Sequence, residues 1–121
     1  MTLIEVMISI VILGSALISM GAFIGRFSHT TKQVAFQQRA IDLATDRIDS
    51  VKHVATYTPG IDTMAATESI VIDSTTYTRT TSIKHMGGGA ADTVDFKIVT
   101  VQVSQPALTT AVRKTTYITS F

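Results

Sequence analysis

The chain contains no cysteine and only two prolines among its 121 residues. The missing cysteines exclude disulfides, thiolate metal sites and cysteine nucleophiles. Its net charge of +1 is too small to indicate a nucleic acid or an anionic surface as a partner. The first proline is Pro59, so no proline interrupts a helix in the first 58 positions.

Charge is almost absent from the first 25 residues. No residue between Val6 and Gly25 is charged, and a single carboxylate, Glu5, precedes the run. Twenty residues of helix cover roughly 30 Å, the thickness of a bilayer's hydrocarbon core. A secretory signal would need a basic segment before the apolar run, and no lysine or arginine stands there. We therefore predict a membrane-spanning helix half over residues 1–25.

A plain single-pass anchor is the main alternative for this segment. Arg26, Lys32 and Arg39 all follow the run, so the positive-inside rule applied to the visible chain would place the C-terminal part in the cytoplasm. A basic leader cut off before Met1 would reverse that orientation. We therefore expect the chain to be a processed product.

The helix is predicted to continue past Arg26. No proline or glycine lies between Arg26 and Tyr57, and apolar residues recur at steps of three and four, which indicates one helix face. A helix from about Thr2 to about Val54 is too long for a domain of this size, so its first half should project. Residues 26–55 form the amphipathic half, with an apolar stripe of Ile41, Ala44, Ile48, Val51 and Ala55.

Residues 56–121 have the character of a loop followed by strands. Pro59-Gly60 ends the helix, and Thr56–Glu68 is predicted as a loop. "SIVID" and "TYTRTTSI" flank the turn residues Asp73 and Ser74, as in a hairpin. Residues 85–92 are predicted as a flexible connection, and "AVRKTTYITSF" as the last strand. We predict an α+β fold in which about four antiparallel strands pack on the helix stripe.

The strand "VDFKIVTVQV" changes its alternation halfway along. Its apolar residues fall on one face up to Ile98 and on the other face from Val99 onward. Such a change of parity predicts a β-bulge between Ile98 and Val99.

Residues able to carry catalysis or bind a metal are scattered. His29, His53 and His85 show no metal-ligand spacing and are interpreted as isolated surface residues. The acidic residues of the amphipathic helix are interpreted as a solvated or inter-subunit face, and Gly87-Gly88-Gly89 as a hairpin connection without the ending of a phosphate loop. No catalytic motif is present, so we predict no enzyme activity, no metal and no cofactor. The acidic residues are Asp42, Asp46 and Asp49.

Glu5 is the residue that needs a special explanation. A carboxylate at hydrocarbon depth costs about 2.5–3.5 kcal/mol on insertion scales unless it is compensated. An α-amino group, either its own at Met1 or that of a neighbouring subunit, is the nearest available cation. At about 4 Å such a pair gains roughly 4 kcal/mol at an effective dielectric of 20. Pairing between chains would also fix the axial register of one helix against the next, so Met1 and Glu5 are the predicted assembly residues.

The stretch "MTLIEVMISIVIL" resembles the mature N-terminus of type IV pilins and type II secretion pseudopilins. Thr2, Leu3, Ile4 and Glu5 match that motif position by position, and Met1 replaces the usual phenylalanine. The resemblance covers about 25 residues. It implies removal of a short basic leader by a prepilin peptidase and methylation of the amine at Met1. It also implies a long helix laid on an antiparallel sheet, the arrangement that the pattern itself predicts.

Two departures from that family matter. Many major pilins have a proline near the middle of the apolar helix, whereas Ala22 stands here. Gly14, Gly21 and Gly25 remain, and each glycine weakens a helix by about 1 kcal/mol relative to alanine. They are interpreted either as a flexible segment that unwinds in a filament or as small residues for close helix packing.

Three functions follow from these expectations. The first is a structural subunit of a type IV pilus-like filament, a homo-oligomer built by an assembly machinery from the inner membrane and located outside the cell. The second is a minor pilin or pseudopilin, because "QQRAIDLATDRIDSVK" resembles the second helical half of minor-pilin-like members of the family. The third is a membrane-anchored extracytoplasmic binding domain that never polymerises. We take the first as the main prediction.

Overall fold

The structure is a computed structural model, and it describes residues 2–120. Helix α1 extends over Leu3–Lys52 and is followed by a short 3-10 helix, Asp62–Met64. Four strands follow: β1 (Ala66–Ile72), β2 (Thr75–Gly87), β3 (Asp95–Ser104) and β4 (Val112–Thr119). They form one antiparallel sheet in the order β1-β2-β3-β4. The α+β layout with four antiparallel strands is thus confirmed.

Contacts divide the chain into two compact units, residues up to Ala35 and residues from Phe36 on. The second unit, which we call the head, contains the C-terminal turns of α1 and the whole sheet. Its core lies between the helix stripe and the inner face of the sheet. Ile61, which follows α1, also belongs to this core and is only 1% exposed. The other buried apolar residues are Ala40, Ala44, Ile48, Val51, Tyr77, Val99, Val101 and Val103.

The buried stripe differs in two positions from the expected one. Ala40 is fully buried and Ile41 only half-buried, while Ala55 is exposed because α1 ends at Lys52. The chain from Ala66 to Glu68, expected in a loop, already belongs to β1. Likewise β2 extends to Gly87, so residues 85–87 are strand rather than flexible connection.

The predicted β-bulge in β3 is wrong. Pairing with β2 and β4 is uninterrupted across Ile98 and Val99. Lys97, Val99, Val101 and Val103 form one continuous inner row, all at 0% exposure. Phe96 and Ile98 lie on the outer face, where Tyr117 and Met86 are their cross-strand neighbours. Both faces of the strand are therefore apolar at this end, and no change of parity is needed.

Candidate assembly site

Helix α1 is long and apolar enough, by length and composition, to cross a membrane. None of its most apolar window is buried inside the molecule, unlike the core helix of a soluble protein. A secretory signal meets the same criterion. Large apolar side chains point outward all around the helix, and most are more than half exposed, among them Leu3, Ile4, Met7, Ile10, Val11, Leu13, Leu17, Ile18, Met20 and Phe23.

The hydroxyl groups of this segment are satisfied within the helix. Ser9 Oγ donates to the Glu5 carbonyl at 2.8 Å, Ser15 Oγ to Ile12 O at 2.8 Å, and Ser19 Oγ to Ser15 O at 2.9 Å. A serine bonded in this way presents little unmet polarity to lipid or to a neighbouring helix.

Glu5 lies in the first turn of α1 and is exposed. Its Oε2 accepts a long hydrogen bond, 3.4 Å, from the backbone N–H of Thr2. Among residues 2–120 no cation lies within 4 Å of its carboxylate. The prediction for the Met1 amine concerns a residue outside the described part of the chain. The carboxylate therefore has no strong partner among the described side chains.

Gly14, Gly21 and Gly25 face open space in the single chain. An added Cβ at any of the three would find no atom within 4 Å, apart from the local helix backbone. These glycines are therefore not required by packing within this molecule. Either of their two predicted roles would be exercised only when helices of several chains come together.

A buried lysine, which the sequence analysis missed, organises one end of the head. Lys97 has 0% exposure, and its Nζ donates to Tyr57 O at 2.7 Å, to Thr58 Oγ1 at 2.8 Å and to Asp62 Oδ2 at 2.7 Å. The ammonium also lies 4.4 Å from the centroid of the Tyr57 ring. All three of its N–H donors are thus used, and the chain after α1 is fixed to β3.

A second polar contact joins the same loop to the end of β2. The Tyr57 hydroxyl donates to Asp95 Oδ1 at 2.8 Å, and His85 Nε2 lies 2.6 Å from the same oxygen. The hydrogen bond from His85, and secondly that from Tyr57, hold the pKa of Asp95 below its ordinary value. Burial, followed by the hydrogen bond to Asp95, raises the pKa of Tyr57 to about 12. His85 is exposed, as expected, but it is not isolated, because Asp95 is its partner.

A third contact holds α1 to β1 and β2. Arg79 donates to Glu68 Oε2 through Nε at 3.0 Å and Nη2 at 2.6 Å. Arg47 donates to Met64 O at 2.8 Å and to Thr81 Oγ1 at 3.2 Å. The Arg79 hydrogen bonds hold the pKa of Glu68 below its usual range. Two sequence signals could have predicted this contact. Arg47 lies next to the apolar stripe of α1, and Arg79 lies opposite Glu68 on the neighbouring strand.

The remaining candidate residues, the aspartates of α1 and His53, are exposed on the surface. No group of three or more histidine, aspartate or glutamate residues in the described part of the chain could hold a metal ion. Asp42, Asp46 and Asp49 are all exposed. His53 follows the last residue of α1, and its ring Nδ1 lies 2.7 Å from the Asp49 carbonyl oxygen of that helix.

Comparisons of the chain with protein-family models, with curated proteins and with solved structures yield no match. The resemblance to the prepilin motif therefore rests on the N-terminal residues themselves, chiefly Thr2, Leu3, Ile4 and Glu5.

Proposed function

We propose that this protein is a structural subunit of a type IV pilus-like filament, inserted in the inner membrane before assembly and extracellular afterwards. In the filament the apolar segments of α1 pack against one another. Glu5 of one chain pairs with the α-amino group at Met1 of the next, and this contact sets the axial step between subunits.

The observation that carries the proposal is a lone carboxylate at the start of a fully exposed apolar helix. A helix designed only as an anchor has no use for such a group, because a carboxylate raises the cost of insertion by about 2.5–3.5 kcal/mol. Glu5 has no cation within 4 Å among residues 2–120. A partner amine on another chain compensates the charge and gives the polymer a register.

The exposed surface of α1 supports the same function. Apolar side chains point outward on every side of the segment, so one chain alone leaves them in lipid or uncovered. Intrahelical hydrogen bonds from the serines make the segment compatible with both lipid and a helical bundle. The segment therefore suits a subunit that passes from one environment to the other.

The test replaces Glu5 by Ala, Gln and Asp in the full chain and counts filaments sheared from cells. Glu5→Ala and Glu5→Gln should remain in the membrane but lose nearly all filaments, because the inter-chain ion pair is gone. Glu5→Asp keeps the charge and should retain part of the yield. The control is Ser9→Ala, which changes a neighbouring polar group and keeps the carboxylate.

Three results are distinguishable. Unchanged filaments in Glu5→Ala would contradict the pairing role of Glu5. A chain that is membrane-bound but absent from every fibre would instead be the non-polymerising binding domain. A chain found only in traces within long fibres would be a minor pilin or pseudopilin, which mass spectrometry of the sheared fraction detects.

A further inference from the structure

The head carries two grooves with opposite charge, one on each flank of α1. The first, which we call the lysine groove, has a volume of about 370 Å³ and lies between α1 and edge strand β4. The second, the aspartate groove, has a volume of about 230 Å³ and lies between α1 and the end of β1. Since β1 and β4 are the two edges of the sheet, the grooves lie on opposite sides of the head.

Two ammonium groups, of Lys52 and Lys114, and the carboxylate of Asp49 line the lysine groove, and among the described residues Asp49 lies within 4 Å of neither ammonium. Lys114 points inward from β4 and is half-buried, yet its one hydrogen bond goes to the neutral Thr45 hydroxyl at 2.6 Å. That hydroxyl in turn donates to Ile41 O at 2.8 Å. Lys52, in the last turn of α1, also has no carboxylate within 4 Å among the described residues.

Lys114 differs in this respect from the other inward cations of the sheet and helix. Arg79 and Arg47 share the carboxylate of Glu68, and Lys97 pairs with Asp62. A half-buried ammonium is normally accompanied by a carboxylate, because its desolvation is otherwise uncompensated. Lys52 and Lys114 outnumber the single carboxylate of Asp49 in the lysine groove, so the groove has the chemistry to accept a further carboxylate from outside the head.

The aspartate groove offers such carboxylates. Asp42 and Asp46 line it, and neither has a cation within 4 Å among residues 2–120. Arg39, at the same groove, is directed to Asp73 at 3.4 Å. Asp42 Oδ1 accepts only a neutral hydrogen bond, from Gln38 at 3.1 Å.

We infer that two copies of this chain contact each other through these surfaces. The side chains that line the lysine groove of one head pack against those that line the aspartate groove of the next, with Lys52 and Lys114 facing Asp42 and Asp46. Because the two grooves lie on opposite flanks of α1, the contact is heterologous and does not close into a two-fold dimer; repeated with a rotation that does not close a ring, it gives the open polymer that a filament requires. This inference rests on the proposed filament function and adds a second contact, between heads, to the one at Glu5.

Charge exchange in the full chain tests the contact. Lys52→Glu and Asp46→Lys should each lower filament yield by roughly tenfold, because like charges then face each other across the interface. Combining the two should restore most of the yield, since the pair is reversed. Lys84→Glu is the matched control, because Lys84 is exposed on the outer face of the sheet and lines neither groove.

Cross-linking of introduced cysteines tests which surfaces of two heads are adjacent. The chain has no cysteine of its own, so only the introduced thiols react. Thr115→Cys with Gln38→Cys, which lies beside Asp42 and leaves all four charged residues in place, should give a ladder of dimers, trimers and larger products when filaments are treated with a short bifunctional thiol reagent. Either substitution alone should give monomers. Dimers from a single substitution would overturn the inference in favour of a two-fold contact.

Failure of this inference is separable from failure of the filament function. If wild-type filaments form but the double-cysteine variant gives no ladder, or the reversed pair gives no rescue, the groove contact is overturned and the Glu5 contact stands. If no filament contains the wild-type chain, both fall together.

Discussion

Lys97 and Asp62 form an ion pair whose two members differ sharply in exposure. The Lys97 side chain has 0% exposure, whereas that of Asp62 has 45%. Removing the carboxylate leaves an ammonium in the interior, whereas removing the ammonium leaves a carboxylate that water reaches. The two halves of the pair should therefore contribute unequally when each is deleted.

We expect Asp62→Ala to lower the free energy of unfolding by about 2–3 kcal/mol, and Lys97→Met, which keeps the volume, by only about 1 kcal/mol. Urea unfolding of the full chain in detergent, followed by tyrosine fluorescence, measures both. Equal losses, or the reverse order, would show that burial of Lys97 does not dominate this pair.

Because the pKa of Tyr57 is raised, we expect the stability of the head to change at alkaline pH. Its pKa rises from 10.0 to about 12, chiefly through burial, so the folded chain holds the proton more tightly than the unfolded chain. Its contribution to stability is complete below pH 10 and disappears as the pH rises to about 12. Tyr57→Phe should remove a tyrosinate absorbance step near pH 12. Tyr117→Phe is the control, and a step near pH 12 that persists in Tyr57→Phe would contradict the assignment.

At the scale of elements, the glycine-rich connection between β2 and β3 has a specific conformational requirement. Gly87 has φ +83°, and a Cβ there would overlap the carbonyl oxygen of Val94. Gly87→Ala should therefore destabilise the head by roughly 1–3 kcal/mol. Gly89→Ala is the matched control, because its Cβ would meet only the movable carboxylate of Asp92 at 3.0 Å. Equal effects in urea unfolding would mean that φ at Gly87 is not limiting.

Local patterns predicted the elements well. The 3.6-residue period and the absence of breakers placed the end of α1 within two residues of Lys52, and Asp73 and Ser74 do form the β1–β2 turn, both with positive φ. Lys97 was missed, because its carboxylate partner, Asp62, lies in the short 3-10 helix 35 residues earlier and no local pattern encodes that contact. The alternation of β3 was misjudged because its outer face also carries apolar residues, Phe96 and Ile98, which lie beside Met86 and Tyr117 of the neighbouring strands.

The two edge strands carry inward-pointing charges. Glu68 on β1 faces Arg79, and Lys114 on β4 faces Thr45. Inward charges of this kind protect exposed sheet edges against strand-to-strand association. The proposed assembly, through the grooves and the N-terminal helix, does not require the sheet edges to join.

At the scale of the whole molecule, the positions of the three glycines of α1 bear on how one chain could contact another. Gly14, Gly21 and Gly25 fall within about 40° of one another around the helix, at about 100° per residue. Unwinding requires no common face, whereas a close contact with a neighbouring helix does. This arrangement favours the packing role over the flexible one.

Replacement of Gly21 separates the two roles. Gly21→Leu should leave the single chain helical and membrane-inserted, because nothing lies within 4 Å of a Cβ there. In the proposed filament, the larger side chain should hold neighbouring helices apart and reduce the yield several-fold. Gly21→Ala adds up to about 1 kcal/mol of helix stability but little volume, so it should keep most filaments. Met20→Leu controls for a large side chain on another face. Loss of filaments in Gly21→Ala, equal to that in Gly21→Leu, would instead assign the glycine to unwinding.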